Sequence, residues 1–118
     1  MRFAGYAAVF DAVDRAGDVF VRGAFGRARR VPLLWRHHGS PIGEAEVIED
    51  ARGLRVIAAV DGDVPVAPGD GLSVGYRVVA SRQGVWRTLT AVDLVEVSLV
   101  AQPMQRLARV EQIFNAGE

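Results

Sequence analysis

Ser73 lies in the stretch Gly71-Leu72-Ser73-Val74-Gly75-Tyr76, one small hydroxyl between two apolar residues with a glycine close on either side. Such a serine is either a filler that lets two strands approach closely or a nucleophile presented on uncrowded backbone. A nucleophilic hydroxyl needs a base within hydrogen-bond reach and a third group to orient that base. The composition narrows the candidates. The chain has no cysteine and no lysine, so all 14 of its positive side chains are arginine. This removes thiolate nucleophiles, Schiff-base chemistry and a serine–lysine pair, because guanidinium does not release its proton near neutral pH. Four serines, two histidines and a set of carboxylates are left.

The two histidines, His37 and His38, are neighbours. On extended backbone their side chains point to opposite faces, so one of them at most faces a given site. They read as a turn pair or as the source of a general base. A metal site is disfavoured, because the pair lacks the i, i+4 spacing of helical zinc ligands and no pattern supplies a third ligand. The segment Leu94-Val95-Glu96-Val97-Ser98-Leu99-Val100 is apolar on both faces, which predicts a strand buried on both sides. An ionised Glu96 there costs several kcal/mol, on the order of the burial penalty for a lone charge, unless a donor satisfies it. A histidine ring N–H is one such donor and an arginine is the other. Among the serines, Ser98 is flanked by bulky residues and suits a supporting role, Ser40 sits in a turn, and Ser81 ends a strand beside Arg82. Ser73 is the preferred nucleophile.

The elements that must position these groups are short strands. Half of the 118 residues are apolar and 24% are charged, in balance at 14 against 14, the composition of an ordinary globular domain. A neutral chain gives no electrostatic reason to expect nucleic acid or an anionic membrane as partner. No apolar run approaches the ~20 residues of a spanning helix, and the first residues lack the order of a secretory signal. Strands are expected over Arg2–Phe10, Asp18–Val21, Ile42–Glu49, Leu54–Val60, Leu72–Ala80, Val85–Ala91 and Asp93–Ala101, with an apolar stretch Val31–Trp35 leading into the histidines and a last strand or short helix over Leu107–Phe114. Ala24–Arg30 is expected to form one or two helical turns, Gly39-Ser40-Pro41 a turn, and Asp61–Asp70 a loop, while the last four residues read as frayed. Regular turn signals and little helical periodicity predict an all-β barrel or sandwich.

Four stretches then carry a resemblance. They are Phe3 to Phe10 running on to Gly17-Asp18 and Gly23-Ala24-Phe25; Pro32-Leu33-Leu34-Trp35-Arg36-His37 with Pro41-Ile42-Gly43; Gly71 to Tyr76; and Leu94 to Val100 with Pro103. In this order they resemble the prohead (procapsid) serine proteases of tailed bacteriophages and of phage-derived gene transfer particles, and more distantly the herpesvirus assembly proteases. The resemblance reads residues 1–118 as a single prohead serine protease domain. It implies a mostly β fold like that of the herpesvirus enzymes, a closed barrel of about seven strands with few short helices. It also implies Ser73 as nucleophile, His37 as general base and Glu96 as third member, with no cofactor and no metal. By analogy the oxyanion donors fall at Met104 and Gln105, and Ser98 and His38 are candidates for supporting contacts. The implied substrate is the major capsid protein or a scaffold segment, cleaved in the host cytoplasm inside the immature capsid, with homodimerisation expected. The alternative is a catalytically degenerate barrel that docks on the capsid protein. This chain departs from the family pattern in three places: His38 stands where an acidic residue usually follows the histidine, the link from Phe25 to Val31 is short, and the Asp61–Asp70 loop replaces a helix.

Overall fold

The structure, a computed structural model, describes residues 1–114, so the reading of the last four residues as frayed lies outside the described residues. Eight strands follow one another: β1 (Arg2–Val9), β2 (Asp18–Phe20), β3 (Arg29–Trp35), β4 (His38–Glu49), β5 (Gly53–Val60), β6 (Gly71–Gln83), β7 (Arg87–Val100) and β8 (Val110–Phe114). They form one sheet in the order β2-β7-β3-β4-β5-β1-β8, with β6 on β7. β6 runs antiparallel along the full length of β7. The other edge of β7 is shared, β2 pairing in parallel at Arg87–Leu89 and β3 in parallel at Val97–Leu99. The alternating strands put Phe3, Phe20, Leu33, Leu54, Val56, Leu72, Leu89, Val97 and Val110 inside, each fully buried. Phe20 is the aromatic hinge of this core, with Phe25 at 4.9 Å and Tyr76 edge-on at 5.2 Å between ring centroids.

The sheet curls into an open half-barrel, and the closed barrel expected from the sequence is not formed. Among the described residues its edges meet only around the start of β6, through the Gly71–Arg109 bridge and the bonds Leu72 N–H to Ala108 O (3.0 Å) and Val110 N–H to Asp70 O (2.8 Å). The reason is direction. The Gly71–Arg109 bridge is antiparallel, so the chain that would continue along β6 is the stretch before Arg109, and residues 101–108 form bends and turns rather than a strand. The outer half of the β6–β7 hairpin therefore projects, exposed from Arg77 onward along β6.

The expected helices are also absent among the described residues. In the Ala24–Arg30 stretch the chain forms turns and then enters β3 at Arg29, because Gly23 and Gly26 take left-handed φ of 91° and 76° that a right-handed helix cannot include. The stretches expected as two strands, Val85–Ala91 and Asp93–Ala101, are the single strand β7. The reversal expected at Gly39-Ser40-Pro41 occurs three residues earlier. Trp35 pairs with His38, and Arg36 and His37 form the two-residue turn with φ of 53° and 63°. Both lie in the left-handed region, the geometry of a type I′ hairpin turn, which normally uses asparagine and glycine. The Asp61–Asp70 loop is as expected.

Candidate active site

Register alone brings three of the candidate residues to one place. Across β6 and β7, Ser73 faces Ser98 and Gly75 faces Glu96. Residues directly opposite in an antiparallel pair share a face, and so do residues two apart on one strand. The parallel β3–β7 pairing then sets Leu34 beside Ser98 and Trp35 beside Leu99, so the turn that follows Trp35 ends over Glu96. Two bonds pin it there: Arg36 N–H donates to Leu99 O at 2.9 Å, and His37 N–H donates to Ser98 Oγ at 3.0 Å. The left-handed backbone of two bulky residues costs roughly 1–2 kcal/mol each, and it is held by these contacts to β7. Strain of this kind concentrates where geometry matters more than stability.

His37 Nδ1 contacts Glu96 Oε1, and Ser98 donates its hydroxyl to Glu96 Oε2 at 2.6 Å. The carboxylate, 6% exposed, is therefore gripped on both oxygens, by a histidine and a serine and by no arginine. The Glu–Arg reading of Glu96 is thereby set aside. Burial on both faces of β7 holds from Glu96 to Leu99, while Val95 is exposed. Gly75 provides the room: a Cβ there would lie 2.2 Å from Glu96 Oε1. With Nδ1 engaged, Nε2 is the ring nitrogen left to act on a neighbour. His37 and the buried Ser73 line the same cavity of about 110 Å³, together with Met104, Gln105, Asp14 and Tyr76. Among the described residues no hydrogen bond yet joins Ser73 to the ring. Apo sites commonly show this looseness and tighten only around substrate.

A family model for the caudovirus prohead serine protease matches residues 1–118. The chain belongs to this family. It is a serine protease, and its described residues form a mostly β sheet. No curated protein matches the sequence closely enough to stand as a relative. Among the described residues there is no helix long and apolar enough to cross a membrane, and no group of three or more histidines and carboxylates placed to hold a metal ion.

The remaining sequence candidates in the protease divide. Gln105 is buried and locked by its side chain, accepting from Val9 N–H at 2.6 Å and donating to the carbonyls of Val9 and Ala12. Its own backbone N–H and that of Met104 have no acceptor among the described residues. His38 starts β4, exposed, and lies outside the cavity lining. Ser40 and Ser81 are exposed on β4 and β6.

Sequence reasoning missed the acidic group that lines the cavity. Asp14 closes a tight loop, its Oδ1 accepting from Ala16 N–H and Asp18 N–H at 2.9 Å each. Burial pushes its carboxyl above the usual 3.8. Asp18 behaves oppositely: Arg87 Nε and Nη2 donate to its two oxygens at 2.7 and 2.8 Å and hold its pKa below 3.8. Burial, with both aspartates close by, pushes Tyr76 up to about 12. The only signal in the sequence was the Asp-x-x-Gly-Asp turn, which fits many surface loops.

The Asp18–Arg87 pair gives a stability expectation with a defined sign. Because the folded pKa of Asp18 is depressed, its contribution is complete above 3.8 and is lost as pH falls through the lower folded value. Arg87→Gln is expected to lower the melting temperature at pH 7. The gap from wild type should shrink as pH drops below 3.8. Thermal melts between pH 7 and pH 2 check this, and a gap that stays constant would count against the pair.

Proposed function

We propose that Ser73, His37 and Glu96 form the catalytic triad of this prohead protease, acting on segments of the major capsid protein or scaffold inside the immature capsid. In the first step Ser73 Oγ attacks a peptide carbonyl carbon while His37 Nε2 takes the hydroxyl proton. The tetrahedral intermediate collapses, the C–N bond breaks, and the proton passes from the imidazolium to the leaving amine. Water then attacks the Ser73 ester with His37 again as base, releasing the new carboxyl end and restoring Ser73. Glu96 keeps the ring in the tautomer with hydrogen on Nδ1 and stabilises the imidazolium. The observation that carries the reading is the Glu96 carboxylate, held by His37 and Ser98 over a residue that has no side chain, beside a cavity that Ser73 also lines.

The backbone N–H groups of Met104 and Gln105 are the oxyanion donors in this reading. Both residues line the cavity with Ser73, and neither N–H is committed elsewhere among the described residues. Residues 1–118 act as one protease domain in the host cytoplasm, and a homodimer is the working assembly by analogy with the herpesvirus enzymes. The test is cleavage of the cognate capsid protein together with labelling by a serine-directed phosphonate. Wild type is expected to cleave and to be labelled at Ser73, and Ser73→Ala to do neither. Cleavage that survives in Ser73→Ala would overturn the assignment. The competing degenerate module predicts a wild type that binds capsid protein but is neither labelled nor active.

Ser98 is a positioning residue in this scheme, since it accepts from the backbone of His37 and donates to Glu96. Ser98→Ala leaves both partners short of one bond in a fully buried site, at a cost of about 1–3 kcal/mol in stability. It is expected to lower kcat about 10- to 100-fold with little change in KM, by analogy with the loss of other outer-shell contacts. Steady-state kinetics and a melt of the same preparation check both numbers.

A further inference from the structure

The cavity beside Ser73 is also lined by a charged group that the triad does not use, Asp14. Its volume of about 110 Å³ is well below the ~300–1,000 Å³ of sites that take a whole small molecule. It is the size for one side chain. Ala7, Phe20, Val74 and Met104 give it apolar walls, and Asp14 is the acidic group that lines it.

Asp14 differs from its neighbour. Asp18 is matched by the guanidinium of Arg87, whereas Asp14, 7% exposed, has no cationic partner among the described residues. Its Oδ1 is occupied by the two loop N–H groups, and its Oδ2 has no hydrogen-bond partner among the described residues. Since no fully buried side-chain oxygen is left unpartnered among the described residues, Oδ2 is open to solvent, and Arg87 acts on Asp14 only through space. The cavity that Asp14 lines opens beside the nucleophile, so an incoming side chain is the available source of a direct cationic partner.

We propose, on the reading of Ser73 as nucleophile, that this cavity receives the side chain on the N-terminal side of the cut bond and that Asp14 selects a basic residue there, lysine. The four-carbon stem of lysine lies along the apolar walls, and its ammonium, a compact point charge, donates to Asp14 Oδ2. Arginine's planar head is suited to a bidentate carboxylate, whereas Asp14 offers Oδ2 alone, its Oδ1 being taken by the loop N–H groups. Residues 1–118 contain no lysine, so such a pocket leaves the protease without a cutting site within that span.

Two peptidyl phosphonates that differ only at this side chain, aminobutyl in one and butyl in the other, test the pocket through their labelling rates at Ser73. Wild type is expected to react with the aminobutyl probe at least ~10-fold faster. In Asp14→Asn, whose amide oxygen can still accept from the loop N–H groups, the aminobutyl rate is expected to fall about 100-fold, the order seen when one partner of a buried charge pair is removed. The butyl rate should stay within a few-fold. Equal wild-type rates, a butyl preference, or an aminobutyl preference retained in Asp14→Asn would each overturn the pocket while leaving Ser73 as nucleophile. Labelling of Ser73 by neither probe overturns the nucleophile itself. If Asp14→Asn does not fold, the wild-type ratio alone decides.

Discussion

Ser73→Ala and His37→Ala are each expected to lower kcat on capsid protein by about 10⁴- to 10⁶-fold, and the double variant to be no worse than either single one. Without Oγ there is no acyl-enzyme. Without the ring, the hydroxyl keeps its proton near neutral pH. The two groups work on the same proton, so removing the second costs nothing further. Glu96→Gln belongs in the same experiment with a different signature. The amide retains the shape of the carboxylate, but it can present a donor to Nδ1, which favours the wrong tautomer and withdraws the charge that stabilises the imidazolium. A fall in kcat of about 10⁴-fold with substrate binding intact is the expected result. Single-turnover kinetics with the folded variants decide the matter. Additive losses in the Ser73/His37 double variant would mean that the two residues act independently, and the triad would have to be abandoned.

Gly75→Ala is the second change with a large expected effect, although it removes no functional group. The new Cβ would stand 2.2 Å from Glu96 Oε1 and 2.8 Å from its carboxyl carbon. Gly75 and Glu96 are register partners on the β6–β7 ladder, and the atoms nearest the new Cβ all belong to the Glu96 side chain. The carboxylate must therefore swing away, abandoning His37 and Ser98 together. A buried carboxylate stripped of its partners costs about 3–5 kcal/mol. Melting experiments should show a loss of that size, and the folded fraction at low temperature should show kcat reduced by at least ~100-fold, the scale of a 1 Å misplacement of a catalytic group. Wild-type kinetics in a folded Gly75→Ala would show that the position of Glu96 is immaterial to the reaction.

The strands were legible because alternation and turn residues are local properties. The β4–β5 hairpin, the Asp61–Asp70 loop and β1 fall where the pattern placed them. Closure of the barrel was not legible, because it depends on whether the chain before Arg109 runs as a strand along β6, and residues 101–108 form bends and turns instead. The turn at Arg36-His37 was hidden for a different reason. Its residues are poor formers of left-handed backbone, while Gly39 and Pro41 nearby are strong turn formers, so local propensity favoured the wrong place. Tertiary contacts with Leu99 and Ser98 settle the contest. At the candidate site, Ser73, His37 and Glu96 could be singled out as candidates because their types are scarce or costly where they occur. Asp14 could not, since its neighbours Asp11 and Asp18 look alike in sequence and only the fold shows which of them borders Ser73.

The parallel pairing of β3 with β7 has a consequence for when this enzyme can exist. It joins Leu33–Trp35 to Val97–Leu99, and the His37–Glu96 contact spans 59 positions of the chain. Pairings of such separation carry a large loop-closure cost and form late relative to hairpins. On the proposed triad, the β3–β4 hairpin carries the base and the β6–β7 hairpin the nucleophile, on separate pieces until that pairing is made. A nascent chain lacking β7 has Ser73 and His37 but nothing to bring them together. In that reading proteolytic competence needs β7 in place, and an N-terminal fragment that stops before β7 should show none.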